Sequence, residues 1–304
     1  MRASLPDGAS VELARPPDWD DAVVAWSAER ARVIAGATVA AKVAPQVVGF
    51  GGRSLRSRKH RDGWAFWDAR TGGFERWGDR EWSELLPLAT GEVLACRYFE
   101  HRIQRLAWPS LDVIADLRFA LPQCGIEELV VSPSGRLALA YLDSGQGENG
   151  YELFELDPLR ALAGAPGFTL PVMWSPPAFT PNEHHVIAVF GASPHDHYNN
   201  AWWLSPGKHE DYDADDPSPG GVHAFATILV QHLATRGITR HQLAVDLARG
   251  WLPPDPDDLG WSIPSIISIA NDSLVLGVPS GARIHLDLPL PALSIVDGDR
   301  LGSR

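Results

Sequence analysis

The stretch "NEHHVIAVFGASPHDHYNNAWWLSPGKHEDYDADDPSPGG", residues 182–221, concentrates the polar chemistry of this chain. It holds His184, His185, His195, His197 and His209, five of the eleven histidines. It also holds Asp196, Glu210, Asp211, Asp213, Asp215 and Asp216. Two imidazoles spaced as His195 and His197 are fall on one side of an extended strand, which suits a zinc-type metal site. The pair Asp211 and Asp213 offers the hard oxygen donors that calcium or magnesium takes. The competing reading is a solvated acidic loop with histidines at its turn tips. Residues 206–221 are long for a connection, and long loops in compact domains commonly carry function.

Two further groups could bind rather than react. Tyr198, Trp202 and Trp203 belong to the same segment, and Tyr and Trp are the usual anchors of binding hot spots. Trp202 and Trp203 are adjacent, so a strand would point one to each face. Trp64, Trp67, Trp77 and Trp82 form a second aromatic cluster, which can pack between sheets or line a binding face. The basic run "RSLRSRKHRD", 53–62, carries Arg56 and Arg58 among its cations. It offers bidentate donors to an acidic partner or a phosphate, unless it is a solvated hairpin loop.

Motifs that would name a reaction are missing from the sequence. There is no Gly-x-Ser-x-Gly elbow, no Walker loop, no His-Glu-x-x-His and no zinc-ribbon spacing. "GFGGR", 49–53, has the glycines of a dinucleotide loop without the helix that must follow them.

The elements that position these residues read as a repeat. "LATGEVLACRYFE" from Leu88, "SPSGRLALAYLDS" from Ser132, "TPNEHHVIAVFGA" from Thr180 and "IANDSLVLGVPSG" from Ile269 share one pattern. A polar turn feeds a short strand of apolar residues. The anchors Gly91, Gly135, Glu183 and Asp272 are separated by 44, 48 and 89 residues. The last gap approaches two periods, which places further anchors near 227 and, upstream, near 47. A second half recurs as "WAFWDARTGGFERW", "RIQRLAWPSLDVIADL", "GYELFELDP", "HQLAVDL" and "RIHLDLP". A period of roughly 45 residues built from about four short strands is that of a propeller blade. Alternation then turns Leu137, Leu139, Val186, Ala188, Leu274 and Leu276 toward packing layers.

These residues resemble the WD-repeat and related β-propeller families over about residues 40–298. "SPSGRLALAY" looks like the turn into the second strand of a WD-type blade, and "AFWDARTGG" looks like the third strand and its turn. The Gly-His pair that opens such repeats is absent, and one Trp-Asp sits at the expected place. The resemblance implies a scaffold fold that recruits partners.

The expected fold is therefore all-β, a β-propeller of six blades, with five to seven open. A β-sandwich or barrel with the same spacing is the competing reading. Residues 1–40 form an N-terminal segment and 41–304 the propeller, effectively one domain. "DWDDAVVAWSAERARVIAG", 18–36, has acids first and basics later, as a short helix would, or forms ring-closing strands. "DPLRALAG", 157–164, is expected to be helical for a turn or two.

Composition bounds the function classes. The 28 Gly and 25 Pro demand many turns, and twelve Trp against two Met suit sheet packing and binding faces. A net charge of −12 argues against nucleic acid or an anionic membrane as partner. Cys96 and Cys124 make no disulfide framework, which fits a reduced cytoplasmic protein. No secretory h-region and no apolar run long enough to span a membrane are seen. The leading reading is a non-catalytic propeller that binds a protein or peptide through its loop face and takes no cofactor. One alternative is a small enzyme with a zinc or calcium site, or an acid–base pair, in 182–221. Another is a binder of sugars or aromatic small molecules through exposed Trp.

Overall fold

A computed structural model of the chain describes residues 2–4, 9–16, 24–26, 32–34, 38–45, 49–50, 53–54, 63–78, 82–97, 100, 102–118, 125–143, 149–170, 173, 175–191, 222–246, 264–278 and 281–296. Every regular element among them is a strand. The chain divides into two compact units, Met1–Ala120 and Leu121–Arg304.

The first unit opens with a ribbon of β1 (Arg2–Ser4) and β2 (Ser10–Glu12). A sheet follows from β3 (Val24–Trp26), β4 (Arg32–Ile34), β5 (Thr38–Pro45), β8 (Gly63–Asp68) and β9 (Phe74–Trp77). Between β5 and β8 lies a small ribbon, β6 (Gly49–Phe50) with β7 (Arg53–Ser54). The next sheet is a four-stranded antiparallel meander of β10 (Glu84–Pro87), β11 (Val93–Arg97), β12 (Arg102–Leu106) and β13 (Val113–Arg118).

The second unit repeats the plan. β14 (Gly125–Val131), β15 (Leu137–Asp143), β16 (Asn149–Leu156) and β17 (Leu159–Leu170) form another four-stranded meander. β18 (Ala178–Phe179), β19 (His185–Gly191), β20 (Val222–His232) and β21 (Ile238–Asp246) form the next. β22 (Ser265–Ile269), β23 (Ser273–Gly277) and β24 (Arg283–Asp287) make a three-stranded sheet. The chain then returns as β25 (Leu293–Val296), which adds to the outer edge of the preceding sheet, parallel to β21.

These sheets have the strand order of propeller blades, and within each unit they stack as blades do. Ala40, Trp64 and Phe66 on one face of the β5–β8 sheet pack with Leu85, Val93, Ala95 and Leu106 of the next sheet. Val39, Ala41, Ala65 and Trp67 on the opposite face pack with Ala3, Val11 and Leu13 of the N-terminal ribbon. In the second unit, Val186, Ala188 and Phe190 of β19 meet Leu139, Tyr151 and Leu153. Ile187 and Val189, pointing the other way, meet Leu274, Leu276 and Ile284. A single sheet has two apolar faces here and must be covered on both.

The expected packing layers are found, and they cover both faces of a sheet. Leu139, Val186, Ala188, Leu274 and Leu276 are buried as expected, and Leu137 is half-buried. Their neighbours Ala138, Ala140, Ile187 and Val189 are buried as well, because a sheet sandwiched between sheets has no solvent face. Trp64, Trp67 and Trp82 are core residues too, at 1%, 0% and 6% exposure. Each indole that finds a backbone carbonyl ties two segments together: Trp64 Nε1–H donates to Trp82 O at 3.0 Å, and Trp67 Nε1–H to Ala14 O at 2.7 Å.

Four of the repeat anchors fall on the hairpin between the first and second strands of a sheet. Gly91 (φ 84°), Gly135 (φ 72°) and Glu183 (φ 55°) hold the left-handed position of their turns, and Asp272 lies in the β22–β23 turn. The anchor near 227 is overturned. Residue 227 is mid-strand in β20 and pairs with Phe190 and Gln242. The gap of two periods instead reflects the long connections that lie between β19 and β22. The anchor near 47 lies outside the described residues.

Of the two alternatives for 18–36 the strands are found, and the helical turn expected at 157–164 is replaced by strand. Within 18–36 the described residues form β3 and β4, which pair with successive stretches of β5. The apolar runs Val24–Trp26 and Arg32–Ile34 have a strand to pair with, and this tertiary pairing outweighs the charge pattern. Residues 159–170 are β17, paired antiparallel with β16. Cys96 is a buried thiol in mid-strand, its Sγ 3.3 Å from Ser83 Oγ. Cys124 lies outside the described residues. No helix among the described residues is long and apolar enough to cross a membrane.

Candidate functional site

The sheet of β18–β21 has a polar cluster at its β18–β19 turn, and the 192–221 connection joins β19 to β20. At one end is the β18–β19 turn, Thr180–His185. Glu183 N–H donates to Thr180 O at 2.8 Å, and His185 N–H donates to Thr180 Oγ1 at 3.1 Å. Asn182 Oδ1 takes the Thr180 hydroxyl at 2.8 Å and His184 N–H at 3.1 Å. These local bonds fix the turn without help from neighbouring sheets.

The turn then reaches both neighbours. The Glu183 carboxylate accepts from Ser134 N–H, from the Ser134 hydroxyl at 2.8 Å and from Arg136 at 3.4 Å. On the other side Asn182 N–H donates to Asn271 Oδ1 at 2.9 Å. The turns of three successive sheets are thereby hooked together. The Glu183 side chain is only 8% exposed. Burial alone would raise its carboxyl. The bonds from Ser134, Ser132 and Arg136 outweigh that and hold it below the usual carboxylate range.

Beside this turn two histidines meet. His185 opens β19 and His232 closes β20, and the ladder sets them directly opposite each other. His185 Nε2 lies 3.0 Å from His232 Nδ1, and the ring centroids are 4.4 Å apart. His184 is adjacent, its ring 6.3 Å from that of His185. Burial, then the nearness of His232 and His184, lowers the His185 pKa from its ordinary value. The base of the pair is rigid. Val186 and Gln231, the next residues inward, are wholly buried. Gln231 accepts from the Tyr151 hydroxyl at 3.0 Å and donates to Gly164 O at 2.6 Å.

At the other end of the same sheet β19 and β20 are joined through residues 192–221. The equivalent connection, from second to third strand, spans 98–101 in the β10–β13 sheet, 144–148 in the β14–β17 sheet and 278–282 in the β22–β24 sheet. Between β5 and β8 it spans 46–62 and carries the basic run. The two polar segments singled out in the sequence thus occupy the same topological position in their respective sheets.

Tyr198, Trp202, Trp203, His195, His197, Asp211 and Asp213 lie outside the described residues, as do Arg56 and Arg58. The histidine pair was not legible in the sequence, because His185 and His232 are brought together only by the β19–β20 register. The signal that points to it is a histidine at the start of "HVIAVFG" and another at the end of "VHAFATILVQH". Among the described residues no three His, Cys, Asp or Glu side chains converge on one point.

No protein-family model matches the chain, and no curated protein matches it in sequence. Many solved structures are similar in fold, two of them as follows. Hydrazine synthase of Kuenenia stuttgartiensis aligns with a TM-score of 0.48 at 12% identity, over 94% of this chain and 76% of that one. The β-propeller domain of Cps50 (Swd1) from Myceliophteria thermophila aligns with a TM-score of 0.44 at 11% identity, over 86% of this chain and 67% of that one. Neither likeness is close enough to bear on function.

Proposed function

We propose that the chain is a non-catalytic, propeller-type scaffold that binds a protein or peptide partner through its elongated connections. The observation that carries this reading is the β19–β20 ladder. The two strands pair residue for residue from His185↔His232 to Gly191↔Ala226, and yet residues 192–221 are spent joining them. A few residues close the same corner in the neighbouring sheets. Length beyond what pairing requires is free to serve recognition. In this reading Tyr198, Trp202 and Trp203 supply aromatic anchors, and Arg56 and Arg58 engage acidic groups. The net charge of −12 disfavours nucleic acid and anionic membranes as partners. The buried Cys96 thiol suits a reducing, cytoplasmic setting.

The test compares partners co-purifying with the parent, with a Trp202→Ala/Trp203→Ala variant and with an Arg56→Glu/Arg58→Glu variant. A stoichiometric partner lost from either variant at unchanged melting temperature supports the reading. Stoichiometric zinc or calcium in the purified protein, held through His195, His197, Asp211 or Asp213 and required for turnover, would replace it with the enzyme alternative.

A further inference from the structure

We propose that His185 and His232 form a two-histidine site for a divalent transition-metal ion such as zinc, at the turn end of the β18–β21 sheet and apart from the 192–221 segment.

The distance between the two nitrogens is the first support. Two nitrogens bound to one ion at about 2.0–2.1 Å lie about 2.9 Å apart at a right angle and about 3.3 Å apart at the tetrahedral angle. His185 Nε2 and His232 Nδ1 are hydrogen-bonded to each other at 3.0 Å, and an ion that takes the place of the shared proton finds the two nitrogens already within that bite. The rings are tilted by 71° rather than stacked, so neither covers the other's ligand atom.

The second support is the framework. The residues oppose each other on paired strands, which fixes the spacing of their Cβ atoms. Both strands enter a fully buried ladder one residue further in, at Val186 and Gln231. The backbone at His232 is also held, since its N–H donates to Gly237 O at 2.8 Å and its carbonyl accepts from Arg236 N–H at 2.8 Å. The imidazoles themselves are accessible, His185 half-buried and His232 exposed. A donor pair on rigid strands loses little entropy on binding an ion, and an exposed rim lets the ion enter.

The protonation state agrees. Ligation through His185 Nε2 and His232 Nδ1 leaves the protons on His185 Nδ1 and His232 Nε2, so both rings stay neutral. The two remaining positions on a four-coordinate ion go to water or to a donor from a bound molecule. Imidazole selects zinc, nickel or copper over calcium.

The test is calorimetric titration of the full chain with zinc chloride at pH 7.5, with calcium chloride as the control. The variants are His185→Gln, His232→Gln and His195→Ala/His197→Ala, each melted in EDTA to establish that it folds. Zinc is expected to bind the parent and to raise its melting temperature by several degrees at saturation. Affinity should fall at least ten-fold in each of the first two variants and remain in the third. Absence of zinc binding to the parent would overturn the site. So would binding that survives in both His185→Gln and His232→Gln, or that disappears only from His195→Ala/His197→Ala.

Discussion

Glu183 sits at φ 55°, a conformation that asparagine or glycine adopts more readily, and it is kept there by what its carboxylate holds. Ser134 and Arg136 are its partners in the preceding sheet. Glu183→Gln keeps the shape and removes the charge, and should cost about 1–2 kcal/mol in denaturant unfolding. The folded-state pKa is depressed, so the carboxylate's contribution is present above about pH 4.5 and is lost as pH falls through the folded value. The parent should therefore lose stability in that acid window more steeply than Glu183→Gln. His185 titrates in a different window. Its folded pKa is also depressed, so stability is full above about pH 6.5 and declines as pH falls from there toward the folded value. In EDTA, His185→Gln should flatten the stability profile just below pH 6.5, and an unchanged profile would contradict the depression that burial, with His232 and His184 beside it, imposes on that ring.

At the scale of the strand and the turn, the legible part of the sequence was the hairpin between first and second strands. Gly91, Gly135, Glu183 and Asp272 mark it because a tight turn needs special residues, and those residues show in the sequence. Near 227, "HAFATILVQHLATRGITRHQLAVDLARGW" reads as two strands around "TRG", and β20 and β21 are those strands, but the position expected for the turn before the first of them lies mid-strand. β20 is the third strand of its sheet rather than the second of a new one. Period counting cannot separate a missing repeat from a long insertion, since both lengthen the gap alike. The histidine pair was hidden for a related reason, as register is a property of two strands and the sequence shows each alone. Two-sided burial makes the strands sensitive to charge. Leu139 is wholly enclosed by Tyr151, Leu153, Val186 and Leu229 among others. Leu139→Asp should cost about 4 kcal/mol or more, because a carboxylate would be buried with no partner. A variant that melts with the parent would contradict the packing of β15 against β19.

For the molecule as a whole, successive sheets within each unit supply a stack whose stability comes from face-to-face burial. In the proposed function, stability lies with this stack and recognition with the long connections. The most direct measurement replaces residues 192–221 with the short connection found at residues 278–282, then compares melting temperature and recovered partner with the parent. The β19–β20 ladder is paired residue for residue from His185↔His232 to Gly191↔Ala226. The variant is expected to melt within a few degrees of the parent and to recover none of the partner that the parent binds. A variant that unfolds would show that the segment belongs to the stack, and one that folds and still binds the partner in full would contradict recognition through this connection.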